Sequence, residues 1–115
     1  MSGKIYAVDF DGTIVENKWP EIGDPNFILI DFLKERKADG DFIILWTCRN
    51  GDLLSAAIKF CKEYGLEFDA VNENLPYVNE YFGSDSRKIY ADHYIDDKNY
   101  PVCDLPYISP SHKEW

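Results

Sequence analysis

The apolar positions of this chain fall into two kinds of block, short unbroken runs and longer stretches spaced by three and four. Residues 4 to 8, KIYAV, form the first unbroken run and read as a strand. Asp24-Pro25 then supplies a helix cap followed by proline at the first helical position, which predicts a helix to about Ala38. Its apolar face would carry Ile28, Leu29, Phe32 and Leu33, with Gly40 just past its end. Phe42 to Trp46 is a second continuous run, the pattern of a strand covered on both sides. Thr47 to Gly51 reads as a turn, and Asp52 as the cap of a second helix to about Tyr64. Leu54, Ala57, Ile58 and Cys61 repeat there at helical spacing, and Gly65 closes the helix. Residues 68 to 71 predict a short third strand. Pro76 opens a short helix ending near Gly83, and His93 to Ile95 forms a fourth strand running into Asp96-Asp97. The prolines from 101 onward predict an irregular tail.

Strands alternating with helices imply right-handed crossovers and a Rossmann-like three-layer α/β domain with a mostly parallel sheet. Ligands bind such sheets outside the carboxyl ends of the strands. Those ends carry Asp9 and Asp11, Thr47, and Asp96 and Asp97. Four carboxylates on one rim repel each other unless a cation lies among them, and hard oxygen donors suit Mg2+. Thr47 adds a hydroxyl beside a helix start that favours anions. Lys88, or its neighbour Arg87, brings positive charge to the same rim. Together these groups describe a phosphoryl-transfer site.

Composition narrows the picture. The chain has 115 residues and a formal charge of −9, which predicts one domain over 1–115 and argues against non-specific binding to nucleic acid or an anionic membrane. No apolar run is long enough to span a bilayer, and the MSGK start does not resemble a signal peptide. Cys48, Cys61 and Cys103 form no CxxC spacing and make an odd count. They read as reduced thiols, and the expected location is cytoplasmic.

Asp9-Phe-Asp-Gly-Thr13 after a hydrophobic strand resembles the first signature of the haloacid dehalogenase superfamily. Ile44-Leu-Trp-Thr47 is similar to the second, Lys88 to the third, and Tyr94-Ile-Asp-Asp97 to the fourth. The resemblance implies that Asp9 is a nucleophile forming an aspartyl-phosphate, and that Asp11 protonates the leaving oxygen and later activates water. It also implies Mg2+ held by the carboxylates of Asp9 and Asp96 and the backbone carbonyl of Asp11, with Asp97 nearby. Thr47 and Lys88 would hold the phosphoryl group. Asp11 points to the phosphatase branch, because the dehalogenase branch lacks this second acid. The intervals 15–41 and 48–87 leave no room for a substantial cap domain. The expectation is therefore a capless phosphomonoester hydrolase acting on a phosphorylated small molecule. The chain itself offers only a flap at 14–24 to cover the site, so either a large substrate or the second subunit of a homodimer would cover it. Val102, Leu105, Tyr107, Ile108 and Trp115 offer apolar surface for such an interface or for packing on their own domain.

Plainer readings compete at several positions. An EF-hand loop starting at Asp9 needs glycine where Ile14 stands. Arg49 suits a substrate phosphate or an ordinary salt bridge equally well. Asn72-Glu-Asn74 reads as a plain loop, Trp46 as packing, Trp19 as packing or flap, and His93 as structural. Cys48 has no histidine placed to activate it. Receiver domains share the length, the acidic pair, the Thr and the Lys, but place the acidic pair first and the acceptor Asp later. A phosphoryl-binding scaffold without turnover fits poorly with intact Asp9 and Asp11.

Overall fold

Four short strands, all parallel, build the central sheet of the computed structural model, which describes residues 3–83 and 88–98. In chain order the elements are β1 (Ile5–Val8), β2 (Val15–Lys18), β3 (Glu21–Pro25), α1 (Phe27–Ala38), β4 (Phe42–Leu45), α2 (Gly51–Glu63), β5 (Ala70–Val71), α3 (Pro76–Phe82) and β6 (His93–Ile95). The sheet order is β5-β4-β1-β6, with Val8 level with both Leu45 and Ile95. The apolar runs of β1 and β4 have their physical reason here, because each strand is covered on two sides. Val8, Ile43 and Leu45 pack with Ile30 and Leu33 of α1 and Ala57 and Cys61 of α2. On the other face Ile5, Ala7 and Ile44 pack with Leu75, Val78, Ile89 and Ala91. Helices thus cover both faces, as the alternation of elements predicts.

Parallel strands leave backbone amides unpaired at their amino ends, and carboxylates accept from them here. Asp41 accepts from the amides of Gly3 (2.9 Å) and Lys4 (3.0 Å). Asp92 accepts from Ile5 at 2.7 Å, and Asp69 from Ile43 at 2.7 Å.

The structure corrects the predicted start of α1. Asp24 and Pro25 lie in β3, and the cap is Asn26, whose side chain accepts from the Leu29 amide. Pro25 is tolerated at the end of a strand in a two-stranded ribbon, where its missing amide costs no ladder bond. The buried stripe differs as well: Ile30 and Leu33 are buried while Ile28 is 86% exposed. Phe27-Ile-Leu-Ile30 is unbroken, so spacing alone admits two stripes one residue apart. In α2 the cap is Asn50, without a side-chain cap bond, and Asp52 sits in the first turn. Leu54, Ala57, Ile58 and Cys61 do face the core, and burial pushes the Cys61 thiol up to about 12. The third strand shrinks to two residues because Asp69 turns its side chain to the Ile43 amide and Lys37. α3 begins at Pro76, and Gly83 adopts the left-handed conformation that closes it. Among the described residues no helix is long and apolar enough to cross a membrane. Arg87, Cys103 and the 101–115 tail lie outside the described residues.

The antiparallel hairpin β2–β3 has no counterpart in the hydrophobic pattern. Three of the four residues of β2 are exposed, so no alternation marks it. Its geometry depends on Gly23, where an added Cβ would lie 2.1 Å from the Glu16 carbonyl oxygen. Gly23→Ala is expected to destabilise the protein by about 1–3 kcal/mol. Gly51→Ala serves as a control, since it meets no atom within 4 Å and pays only for its positive φ. Urea titration of both variants measures the difference.

Candidate functional site

Strand order reverses between β1 and β6, and the crevice beyond their carboxyl ends is where doubly wound sheets bind ligands. The Asp9 amide donates to the Ile95 carbonyl at 3.0 Å, extending the parallel ladder one residue past β1. That bond sets Asp9 beside Asp96. One carboxylate oxygen from each of Asp9, Asp96 and Asp97 lies within 4.8 Å of the others. Ligands ~2.1 Å from an octahedral Mg2+ stand ~3 to ~4.2 Å apart, so these oxygens need only small adjustments to hold such a cation. The donor set is all oxygen and fits the ion that the rim of carboxylates predicts.

The loop between the acids is held from beneath. Phe10 is fully buried in the core, and its carbonyl accepts from the amides of Thr13, Ile14 and Val15. Asp9 and Asp11 flank this anchor, and Asp9 Oδ1 accepts from the Phe10 amide at 2.8 Å. Gly12 has φ of +83°, and a Cβ there would lie 2.2 Å from an Asp97 carboxylate oxygen. The glycine of DFDGT is therefore required twice, by its conformation and by the closeness of Asp97. Burial, followed by repulsion from Asp96, Asp97 and Asp11, outweighs the Phe10 amide and raises the Asp9 carboxyl above its ordinary range.

A cavity of about 690 Å³ opens at Asp9 and Asp96, lined also by Ala7, Thr47, Lys88 and Lys98. The Thr47 amide donates to the Asn72 side chain at 2.7 Å, and Thr47 Oγ1 accepts from the Arg49 amide at 3.2 Å. Asn74 is buried and accepts from the Tyr90 amide at 2.7 Å, bracing the segment that begins at Lys88. The Asn72–Asn74 loop thus positions both phosphate-binding candidates, a role that its polar composition alone does not reveal. Trp46 is not a core residue as expected: it is 43% exposed and lines the cavity together with Tyr94. His93, by contrast, is structural as expected, its ring stacked on Tyr6 at 4.9 Å. Cys48 is exposed on the cavity wall as a free thiol.

Asp11 does not join the carboxylate cluster. Its two oxygens accept from Arg49 Nε at 2.8 Å and Nη2 at 2.7 Å, a bidentate pair. The Arg49 side chain is 1% exposed and that of Asp11 16%. The guanidinium lies 5.0 Å from the Phe10 ring centre and 5.1 Å from that of Trp19. It also donates to the backbone carbonyls of Glu21 (3.0 Å) and Leu53 (3.4 Å). Of the two readings open to Arg49, the salt bridge is the one realised. Through Trp19 and Glu21 the arginine also fastens the β2–β3 hairpin to the loop after β4. A single arginine in a turn carries no signal in sequence for such a role.

No protein-family model matches this chain, and no curated protein matches it. Among solved structures it is similar to a conserved protein coded by a locus of Bacteroides thetaiotaomicron, at 43% identity and a TM-score of 0.75. The match covers 91% of this chain and 83% of that one.

Two outcomes follow from the site's electrostatics. The raised Asp9 carboxyl holds its proton in the folded state at pH values where the unfolded chain has lost it. Metal-free stability therefore rises as pH falls through that raised value, and the gain is complete near the ordinary 3.8. Asp9→Asn should equal or exceed wild type in metal-free melts at pH 7, with the gap closing towards pH 4. Breaking the buried pair with Arg49→Met should cost about 3–5 kcal/mol, much of it recovered in Arg49→Met/Asp11→Leu. Denaturant titration of the two singles and the double gives the coupling.

Proposed function

We propose that this chain, which belongs to the same family as that conserved Bacteroides thetaiotaomicron protein, is a Mg2+-dependent phosphomonoester hydrolase of the haloacid dehalogenase type. The observation that carries this reading is the three-carboxylate cluster of Asp9, Asp96 and Asp97 at the strand-order reversal, opening onto a cavity with Thr47 and Lys88. Asp9, Asp96 and Asp97 would hold the cation, with the Asp11 carbonyl completing the set; when bound it supplies positive charge to a phosphoryl oxygen and to the crowded carboxylates. Asp9 attacks phosphorus through a carboxylate oxygen, and the bond from phosphorus to the leaving oxygen breaks with its electron pair going to that oxygen. Water then attacks the same phosphorus, releasing phosphate and restoring the Asp9 carboxylate. Phe10 fixes the orientation of Asp9 through its amide, so the nucleophile is aimed before substrate arrives. Thr47, held by Asn72, and Lys88, braced through Asn74, take the phosphoryl oxygens. Asp11 is assigned the proton transfers, on the condition that it leaves the Arg49 fork to carry a proton.

Strand order also weighs against the receiver reading. Taken by their rank among the parallel strands, β5-β4-β1-β6 is the order 3-2-1-4. Receiver domains share the flavodoxin-like order 2-1-3-4-5. The cavity of about 690 Å³ has room for a phosphorylated small molecule.

Millimolar Mg2+ should raise the melting temperature of wild type by mass action and do so much less for Asp96→Ala. Asp9→Asn should lower Mg2+-dependent phosphate release by roughly 10⁴-fold or more while remaining folded. Thermal melts beside a phosphate-release screen of monoesters decide the matter. Wild-type melts indifferent to Mg2+, or turnover surviving in Asp9→Asn, would remove the assignment.

A further inference from the structure

We propose that the protein carries a second binding site, at the amino end of the sheet, for a small quaternary ammonium compound. The site shares no residue with the carboxylate cluster and does not depend on the hydrolase reading. A cavity of about 420 Å³ lies between α3, the first residues of β1 and the segment leading into β6. The rings of Tyr77, Tyr81, Phe82 and Tyr90 line it, together with Asp92. The sequence explains why those rings are exposed in an acidic chain. Val78 is buried with Ile5 and Ile89 and anchors α3, which leaves Tyr77, Tyr81 and Phe82 on its solvent side. Tyr77 and Tyr81 stand four residues apart and share one row of the helix surface. Tyr90 follows the buried Ile89, and its amide is held by Asn74 at 2.7 Å. The Tyr77 ring leans on Phe42, their centres 5.9 Å apart.

The geometry suits a compact cation. The Phe82 ring stands at 83° to Tyr81, with centres 5.0 Å apart, and at 59° to Tyr90, with centres 6.1 Å apart. Steeply inclined rings turn faces and edges to one space from several sides, and a cation is drawn to the faces. Asp92 adds a full negative charge and is fixed at two points on Ile5. Its Oδ2 accepts from the Ile5 amide at 2.7 Å, and its own amide donates to the Ile5 carbonyl at 2.8 Å. Among the described residues Asp92 Oδ1 has no hydrogen-bond partner, and no lysine or arginine pairs with Asp92 or lies over the four rings. Burial first, then Asp92 and Tyr90, raise the Tyr77 phenol above its ordinary range, a sign of the negative potential gathered in this corner. The lining also chooses among cations. A primary ammonium is strongly hydrated and brings three N–H donors, and a guanidinium brings five, which ring faces satisfy poorly. A quaternary ammonium leaves no N–H unmet, and its methyl groups meet the rings directly. The cavity has the volume of a small-molecule site, so the occupant assigned is a free compound.

The test is calorimetry on the full chain with choline and with 3,3-dimethylbutan-1-ol, which has the same shape and carbon in place of the charged nitrogen. Choline should bind about 10-fold more tightly than the alcohol. Its N-methyl proton resonance should move upfield on binding, because ring faces shield protons above them. Tyr81→Ala should weaken choline roughly 3-fold or more and Tyr81→Phe should retain it; Tyr81 is 82% exposed, so neither change threatens the fold. Asp92→Asn keeps an acceptor for the Ile5 amide and should weaken choline while leaving the alcohol unaffected. Millimolar Mg2+ should not compete. Equal binding of choline and the alcohol, or choline affinity unmoved by both Tyr81→Ala and Asp92→Asn, overturns the site. Displacement of choline by Mg2+ assigns the ammonium to the carboxylate cluster and overturns it as well. A trimethyllysine peptide binding more tightly than choline overturns the assignment to a free compound. No arm reads phosphate release, so failure here leaves the hydrolase reading standing.

Discussion

Like-charge repulsion at the carboxyl end of a parallel sheet is the constraint on which the rest of this structure turns. Asp9, Asp96 and Asp97 are brought within ion-binding distance by the hydrogen bond that extends β1 alongside β6. Every nearby feature limits what that crowding costs. Phe10 sinks into the core between the acids, its amide steadies Asp9, and Asp11 is drawn off to Arg49. The same residue type serves the opposite purpose at the other end of the sheet. There Asp41, Asp69 and Asp92 accept strand amides that would otherwise go unpaired. An acidic chain thus places its carboxylates on two edges of one sheet, one pairing with strand amides and one gathered into a cluster.

Arg49 connects the site to its only hairpin among the described elements. Its guanidinium is neutralised by Asp11, sandwiched by Phe10 and Trp19, and bonded to the Glu21 carbonyl of β3. A buried ion pair of this kind is weak evidence of net stability, because desolvation offsets its attraction. What the structure shows is a junction: the hairpin, the loop after β4 and the turn after β1 all meet at this one charge. Opening the hairpin would uncover a buried cation, so the hairpin and Asp11 move together or not at all.

Much of this was legible in the sequence. Unbroken apolar runs marked β1 and β4, because burial on both sides erases alternation. Pro76 and Gly83 bounded α3 through backbone chemistry that depends on little else. The acids at 9, 96 and 97 and Thr47 could be placed on one rim from topology alone, and the structure sets Asp9, Asp96, Thr47 and the further candidate Lys88 around one cavity, with Asp97 beside the two acids. The failures share a cause. The β2–β3 hairpin, the partner of Asp11 and the brackets made by Asn72 and Asn74 all rest on polar contacts between distant segments. Hydrophobic period carries no record of which polar group will meet which. Asp24-Pro25 misled for a related reason: cap and proline are local signals, and pairing with Val15 overrode them.

The contact between Gly12 and Asp97 also fixes when the site can come into being. Nearly the whole described chain separates the first acidic turn from the last acidic pair; the neighbouring bond from Ile5 to Asp92 alone closes a span of 87 residues. Contacts of such long range form late, after the loops between them have been closed. A chain emerging in order from its amino terminus would present Asp9 and Asp11 early, as two solitary carboxylates with little hold on a cation. Only once β6 docks beside β1 does Asp97 fill the space over Gly12 and the third oxygen arrive. The carboxylate cluster is then a seal on finished assembly, and an incomplete chain lacks the oxygens of Asp96 and Asp97 that complete it.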